Sequence, residues 1–252
     1  MNKKIKIIIA AHKKYDMPQD DIYLPVHVGA KGKDELGYTR DDSGDNISEK
    51  NPSFCELTGL YWAWKNLDAD YIGLAHYRRH FGKGKKIMDG QTASKLLEKA
   101  DVILPAKRKY YIENLYSHYA NTLHKEPLDI TIEIIKERYP EYAAETEKLH
   151  KRTSAHMFNM LVMKKEHFNA YCEWLFDILF ELEKKTENYE YDSFHARFFG
   201  RVSELLLDVF INTNGIKYVE YPFIYTEKVN IFKKGVSFLM AKFFGKKYGK
   251  SF

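Results

Sequence analysis

Two stretches of the sequence set imidazoles beside cations: His12-Lys13-Lys14-Tyr15 and His76-Tyr77-Arg78-Arg79-His80. Each follows a short apolar run, so each falls where a strand ends. A guanidinium presents a planar fork of donors that matches phosphate oxygens, and lysine adds a point charge. In an α/β sheet, ligands lie beyond the carboxyl ends of the strands. His12, Lys13, His76, Arg78 and Arg79 are therefore candidates for holding a diphosphate, although a solvated sheet edge carries such residues as well. Asp68-Ala69-Asp70 is a different pattern. Two carboxylates so spaced can hold a divalent ion that neutralises a departing phosphate. Here the pair precedes the apolar run Tyr71–His76 instead of following it, so it belongs to a helix-to-strand turn at the opposite end of that strand. The expectation is no bound cofactor, with a divalent ion such as Mn or Mg as the less favoured option.

A hydroxyl that attacks an electrophile must give its proton to a base. Asp192 and Glu204 are the two candidates. Asp192 just precedes a helical pattern and could cap it. Glu204 belongs to a stripe, Arg197, Arg201, Glu204 and Asp208, opposite the apolar face of that helix. Ion pairs on a solvated face would give the same stripe. Asp45, Asn46 and Ser48 sit in a polar loop whose donors and acceptors suit a ribose or a base, or simply a turn. His156 precedes the apolar run Met157–Met163 and Asn159 lies within it, where they would meet sugar hydroxyls or bond to loop backbone. His167 and His195 have no partner at a useful spacing. No glycine-rich phosphate loop, zinc-protease motif or nucleophile elbow occurs.

Alternating elements must position these groups. Apolar β-branched runs predict strands at Lys4–Ala11, Ile22–Val28, Tyr71–His76, Asp101–Leu104, Met157–Met163 and Ile216–Tyr221. Helical spacing predicts helices at Ser53–Asn66, Thr92–Ala100, Leu128–Tyr139, Tyr142–Lys151, Asn169–Lys185 and Phe194–Asn212. Gly29–Pro52 reads as a long polar loop. The alternation implies an α/β fold with a mixed central sheet flanked by helices.

Composition narrows the function classes. With 252 residues and 44% hydrophobic content, the chain is long enough for one α/β domain with a full core. The net charge of +5 is uneven: residues 228–252 hold seven lysines and no acid, which leaves −2 on the rest. A body so close to neutral argues against a nucleic-acid partner. The tail alternates lysines with Val229, Phe232, Val236, Leu239, Met240 and Phe243, the pattern of a segment lying on an anionic membrane surface or of a packed helix. Cys55 and Cys172 lack short spacing, consistent with a reducing compartment. The apolar run after the N-terminal lysines is too short for a secretory leader, and no segment is long enough to span a bilayer. The expected location is cytoplasmic, peripheral on the inner face of the plasma membrane.

The stretches "AAHKKYDMPQDDIYLPVHVGA", "GDNISEKNPSFCELTGLYWAWKN", "DYIGLAHYRRHFG", "HMFNMLVMKKE" and "YCEWLFDILFELE" together resemble the capsular and exopolysaccharide glycosyltransferase family long filed as a domain of unknown function. The resemblance runs from Ile5 to about Val229. It implies a GT-A-like nucleotide-sugar-binding fold and a bacterial enzyme of capsule, O-antigen or exopolysaccharide assembly. In some relatives the reaction is galactosyl or galactofuranosyl transfer from a UDP-sugar. The helix-strand unit through Tyr71–His76 resembles the one that delivers an Asp-x-Asp in other GT-A enzymes, but here the following residues are His76 to Arg79. The expected organisation is a glycosyltransferase domain over residues 1–227 and a basic amphipathic segment over 228–252. The expected partners are a nucleotide-sugar donor, a lipid-linked saccharide acceptor and an anionic membrane. A non-catalytic sugar- or nucleotide-binding subunit of an assembly complex is the alternative.

Overall fold

The computed structural model describes residues 3–227; the basic amphipathic tail lies outside the described residues. The strands are β1 (Ile5–Ala11), β2 (Tyr23–His27), β3 (Thr39–Arg40), β4 (Tyr71–His76), β5 (Arg79–Lys83), β6 (Lys86–Ile87), β7 (Val102–Pro105), β8 (Arg108–Lys109), β9 (Ser154–Ala155), β10 (Leu161–Lys164), β11 (Tyr218–Tyr221) and β12 (Phe223–Tyr225). The helices are α1 (Asn51–Phe54), α2 (Leu57–Asn66), α3 (Gly90–Leu97), α4 (Leu115–Thr122), α5 (Glu126–Arg138), α6 (Ala143–Glu147), α7 (Lys165–Lys185) and α8 (Phe198–Thr213). The main sheet runs β11-β7-β10-β4-β1-β2-β3. β10 is antiparallel to both neighbours, whereas β4, β1, β2 and β3 are mutually parallel. The sheet is thus mixed and flanked by helices, as the alternating pattern predicts.

The parallel strands sit at the centre for a physical reason. Residues Ile7 to Ala11 of β1 are buried on both faces of the sheet, which the continuous apolar run requires. α2 lies over β1 and β2, and Gly59 permits the close approach: a Cβ there would lie 2.8 Å from Val28 Cγ1. α7 buries Phe168, Tyr171, Leu175, Ile178, Leu179 and Leu182, a stripe at helical period. Among the described residues no helix is long and apolar enough to cross a membrane.

Three elements depart from the sequence expectation. The helix expected over Ser53–Asn66 is broken: α1 stops at Phe54, Cys55 takes φ 54°, and α2 restarts at Leu57. The strand expected from Met157 begins only at Leu161, because Phe158 and Asn159 adopt φ 76° and 54° and form a turn. The expected helix Tyr142–Lys151 shrinks to α6, with 3-10 turns on either side. Residues in the left-handed region end an element wherever surrounding contacts hold them there.

Candidate active site

β1 and β4 are parallel and pair Ala10 with His76, so their carboxyl ends lie side by side. β4 then turns through Tyr77 and Arg78 into β5, with Arg79 paired to His76. A cleft of about 540 Å³ opens at this end of the sheet. Its walls come from the strand ends, the broken helix at Cys55 and Glu56, the turn at Phe158, β8, α4 and the first turn of α8. That volume falls in the range of small-molecule sites.

Five arginines line it: Arg78, Arg79, Arg108, Arg197 and Arg201. Arg78 pairs with Glu227 at 3.0 Å. Among the described residues the other four have no carboxylate partner; they rest on soft groups. Arg79 lies 4.3 Å from the Phe158 ring centre, Arg201 3.9 Å from Phe194 and Arg108 4.8 Å from Tyr110. Arg197 donates from Nε to Cys55 Sγ at 3.0 Å. Aromatic packing orients a guanidinium without neutralising it. The result is a concentration of fixed, unpaired positive charge in a partly enclosed site, which attracts an anion. Burial and the neighbouring cations Lys13 and Arg78 lower the pKa of His12, so its ring stays neutral near pH 7.

Two carboxylates stand among these cations, Glu56 and Glu204. Burial first, then the charge of Glu56, pushes Glu204 up to about 7, against the pull of Arg79 and Arg108. A carboxyl tuned to that value exchanges a proton readily near neutrality. One turn connects the polar groups. The Phe158 carbonyl accepts from His76 Nε2 at 2.5 Å, and the Phe158 backbone also lies beside the Glu204 carboxylate. Asn159 Nδ2 donates to Glu56 Oε1 at 2.7 Å. The left-handed backbone at Phe158 and Asn159 costs on the order of 1–3 kcal/mol per residue. It is held by Ser203 Oγ, which donates to Asn159 Oδ1 at 2.8 Å, and by the Gly200 carbonyl, which accepts from Asn159 Nδ2. Below it, buried His156 meets Asp208 through Nδ1 and Glu220 through Nε2.

Residues 6–215 match the family model described as a domain of unknown function, DUF4422. The chain belongs to this family. The apo structure of WbbM, a bifunctional glycosyltransferase, superposes with a TM-score of 0.82 at 31% sequence identity. The match covers 89% of this chain and 46% of that one, so this chain spans less than half of that protein's length. No curated protein matches the chain.

In this DUF4422 chain the cleft brings together His12, His76, Arg78, Arg79 and Glu204 of the residues singled out from sequence. The others lie elsewhere. Lys13 is exposed, over the Tyr15 ring. Asp45 accepts from Tyr61, Asn46 bonds Gly44 and Ser48 within its own loop, and Ser48 is buried against Asp41. His156 and Asn159 are buried behind the cleft wall and spend their polar atoms on protein partners, so neither side chain lines the sugar pocket expected of them. Asp192 caps the turn before α8, accepting from the Phe194 and His195 amides, and does not line the cleft.

Sequence reasoning passed over Glu56, Arg108 and the role of Arg197 and Arg201. Glu56 looked like an interior helix position until the break at Cys55 turned it outward. The stripe along α8 was visible, but it faces the cleft instead of solvent and ends in buried Asp208. A hard dication needs several oxygen ligands. The residues after β4 are cationic, and among the described residues no group of three or more His, Cys, Asp or Glu is placed to hold a metal. Asp68 pairs with Lys165 and Asp70 accepts from the Lys4 amide, at the opposite end of β4. The Asp68 and Asp70 carboxylates therefore do not face the cleft.

Proposed function

We propose that the chain is a glycosyltransferase that moves a hexosyl residue from a UDP-sugar to a saccharide acceptor, without a metal. The observation that carries the reading is the arginine-lined cleft with a single carboxyl tuned to about 7 among its cations. The name of the structural neighbour, a glycosyltransferase, agrees with it. The acceptor hydroxyl attacks the anomeric carbon as the bond from that carbon to the diphosphate breaks. The electron pair leaves with UDP, and the hydroxyl proton passes to ionised Glu204. Arg78, Arg79 and Arg197 stabilise the charge that develops on the leaving diphosphate, the part a metal plays elsewhere. Glu56 holds the pKa of Glu204 up and is positioned by Asn159. Galactosyl or galactofuranosyl transfer onto a lipid-linked oligosaccharide, in capsule, O-antigen or exopolysaccharide synthesis at a membrane surface, is the finer form of this proposal.

The test is nucleotide release from a panel of UDP-, GDP- and dTDP-sugars, with and without EDTA. Slow hydrolysis of one UDP-sugar that EDTA leaves unchanged is the expected result. Arg79→Ala should lower kcat/KM for that donor about 100-fold. Loss of hydrolysis in EDTA would overturn the metal-free reading. Binding of a donor without release would favour a non-catalytic binding subunit.

A further inference from the structure

A ladder of rings leaves the cleft through its Phe194 wall. Phe194 lines the cleft beneath the Arg201 guanidinium. Its ring lies 5.2 Å from His195, His195 lies 4.6 Å from His124, and His124 lies 5.0 Å from Tyr191. Tyr189 stacks on Tyr191 at 6.0 Å and 7° and ends the ladder 46% exposed. Asp192 fixes the His195 ring, with Oδ2 2.7 Å from Nδ1.

Residues 187–193 carry Glu187, Glu190 and Asp192 with no lysine or arginine, and all three acids are exposed. Charge is therefore segregated, with arginines in the cleft and acids along the ladder. A phosphate is drawn to the first and repelled by the second. A neutral sugar suits the ladder. Its C–H face packs on an aromatic ring, and its hydroxyls meet carboxylates and phenols. Among the described residues neither Tyr189 nor Tyr191 spends its hydroxyl on a protein hydrogen bond.

We propose that this ladder is the platform for the acceptor, and that the acceptor presents an uncharged hexosyl unit there. The assignment rests on the glycosyl-transfer reading above. The ladder is exposed at Tyr189 and reaches the cleft wall at Phe194, with the half-buried rings of Tyr191, His124 and His195 packed between them, so a saccharide seated on Tyr189 is held on the Phe194 side of the cleft that holds Glu204.

The test is saturation-transfer NMR on the full chain with methyl glucoside, methyl galactoside and methyl mannoside, run beside the hydrolysis assay on the same sample. Ring protons of at least one glycoside should receive saturation. Tyr189→Ala should weaken that signal about fivefold, Tyr189→Phe should retain most of it, and added UDP should leave it in place. Tyr189 is exposed, so Tyr189→Ala should keep the fold, as the melting curve will show. No signal from the three glycosides, a signal indifferent to Tyr189→Ala, or displacement by UDP would overturn the platform. If UDP-sugar hydrolysis persists in that case, the catalytic reading survives alone. A Tyr189-dependent signal without hydrolysis of any donor would overturn the acceptor assignment and leave a glycan-binding surface.

Discussion

The cleft and the Asp41 loop both gather polar side chains and are built on opposite rules. Asp41 is completely buried. It accepts from the amides of Gly29 and Ala30 at 2.8 and 3.0 Å and from the hydroxyls of Ser48 and Thr58. Gly29 itself sits at φ 63°, tight against Asn51, a backbone shape open to glycine at little cost. Every acceptor site of Asp41 is thus occupied by its own chain. In the cleft the balance is reversed. Arg79, Arg108, Arg197 and Arg201 lean on rings and a thiol, and among the described residues none has a carboxylate partner. Satisfied charge keeps a fold together; unsatisfied charge is held in readiness for something that arrives.

The comparison can be broken most directly at Glu204. Glu204→Gln should lower kcat by about 1000-fold, the scale of a lost general base, with donor KM little changed. Wild-type activity should rise as pH passes through about 7, where Glu204 loses its proton. The same shift makes a stability statement. A carboxyl whose folded pKa is raised contributes stability that is full below its unfolded pKa and is lost as pH rises through about 7. Glu204→Gln should therefore melt higher than wild type at pH 8, with the gap closing towards pH 5. A kcat within a few fold of wild type would remove Glu204 from the chemistry.

Asp41→Ala tests the other side. It strands two amides and two hydroxyls in a buried site, for about 3–5 kcal/mol of destabilisation. Melting should fall by roughly 10 °C, while donor binding per folded molecule stays as in wild type. A variant that melts normally would show the hub to be dispensable. The smallest effect belongs to Asp192→Asn. The amide can still cap the turn, so kcat for donor hydrolysis without acceptor should be unchanged, and a collapse of that hydrolysis would return Asp192 to the list of bases.

Much of this was legible beforehand because strands buried on both faces are written as continuous apolar runs. β1, β4 and the stripe of α7 follow from periodicity alone. The cationic residues after β1 and β4 followed too, since the end of a strand fixes where the next side chains stand. α4 was missed. Its sequence, Leu115–Thr122, is rich in aromatic and β-branched or polar residues of middling helix propensity, and its signal was a lone Asn114 cap that accepts from the Ser117 amide. The polar loop 29–52 suggested ligand contacts from composition. Composition does not say whether a hydroxyl faces a ligand or a buried carboxylate.

The sequence by itself determined the mixed α/β sheet, the strand ends that carry His12 and His76 to Arg79, and the stripe of Arg197, Arg201 and Glu204, because these are local: strand and helix periods assign each side chain to a face. Only the tertiary structure decided which faces meet. The left-handed residues Cys55, Phe158 and Asn159 turn Glu56 towards Glu204 and set its pKa, and long-range contacts with Ser203 and Gly200 hold the Phe158–Asn159 turn in place. A strained turn of that kind has no sequence period, since it is stable only when the rest of the fold encloses it.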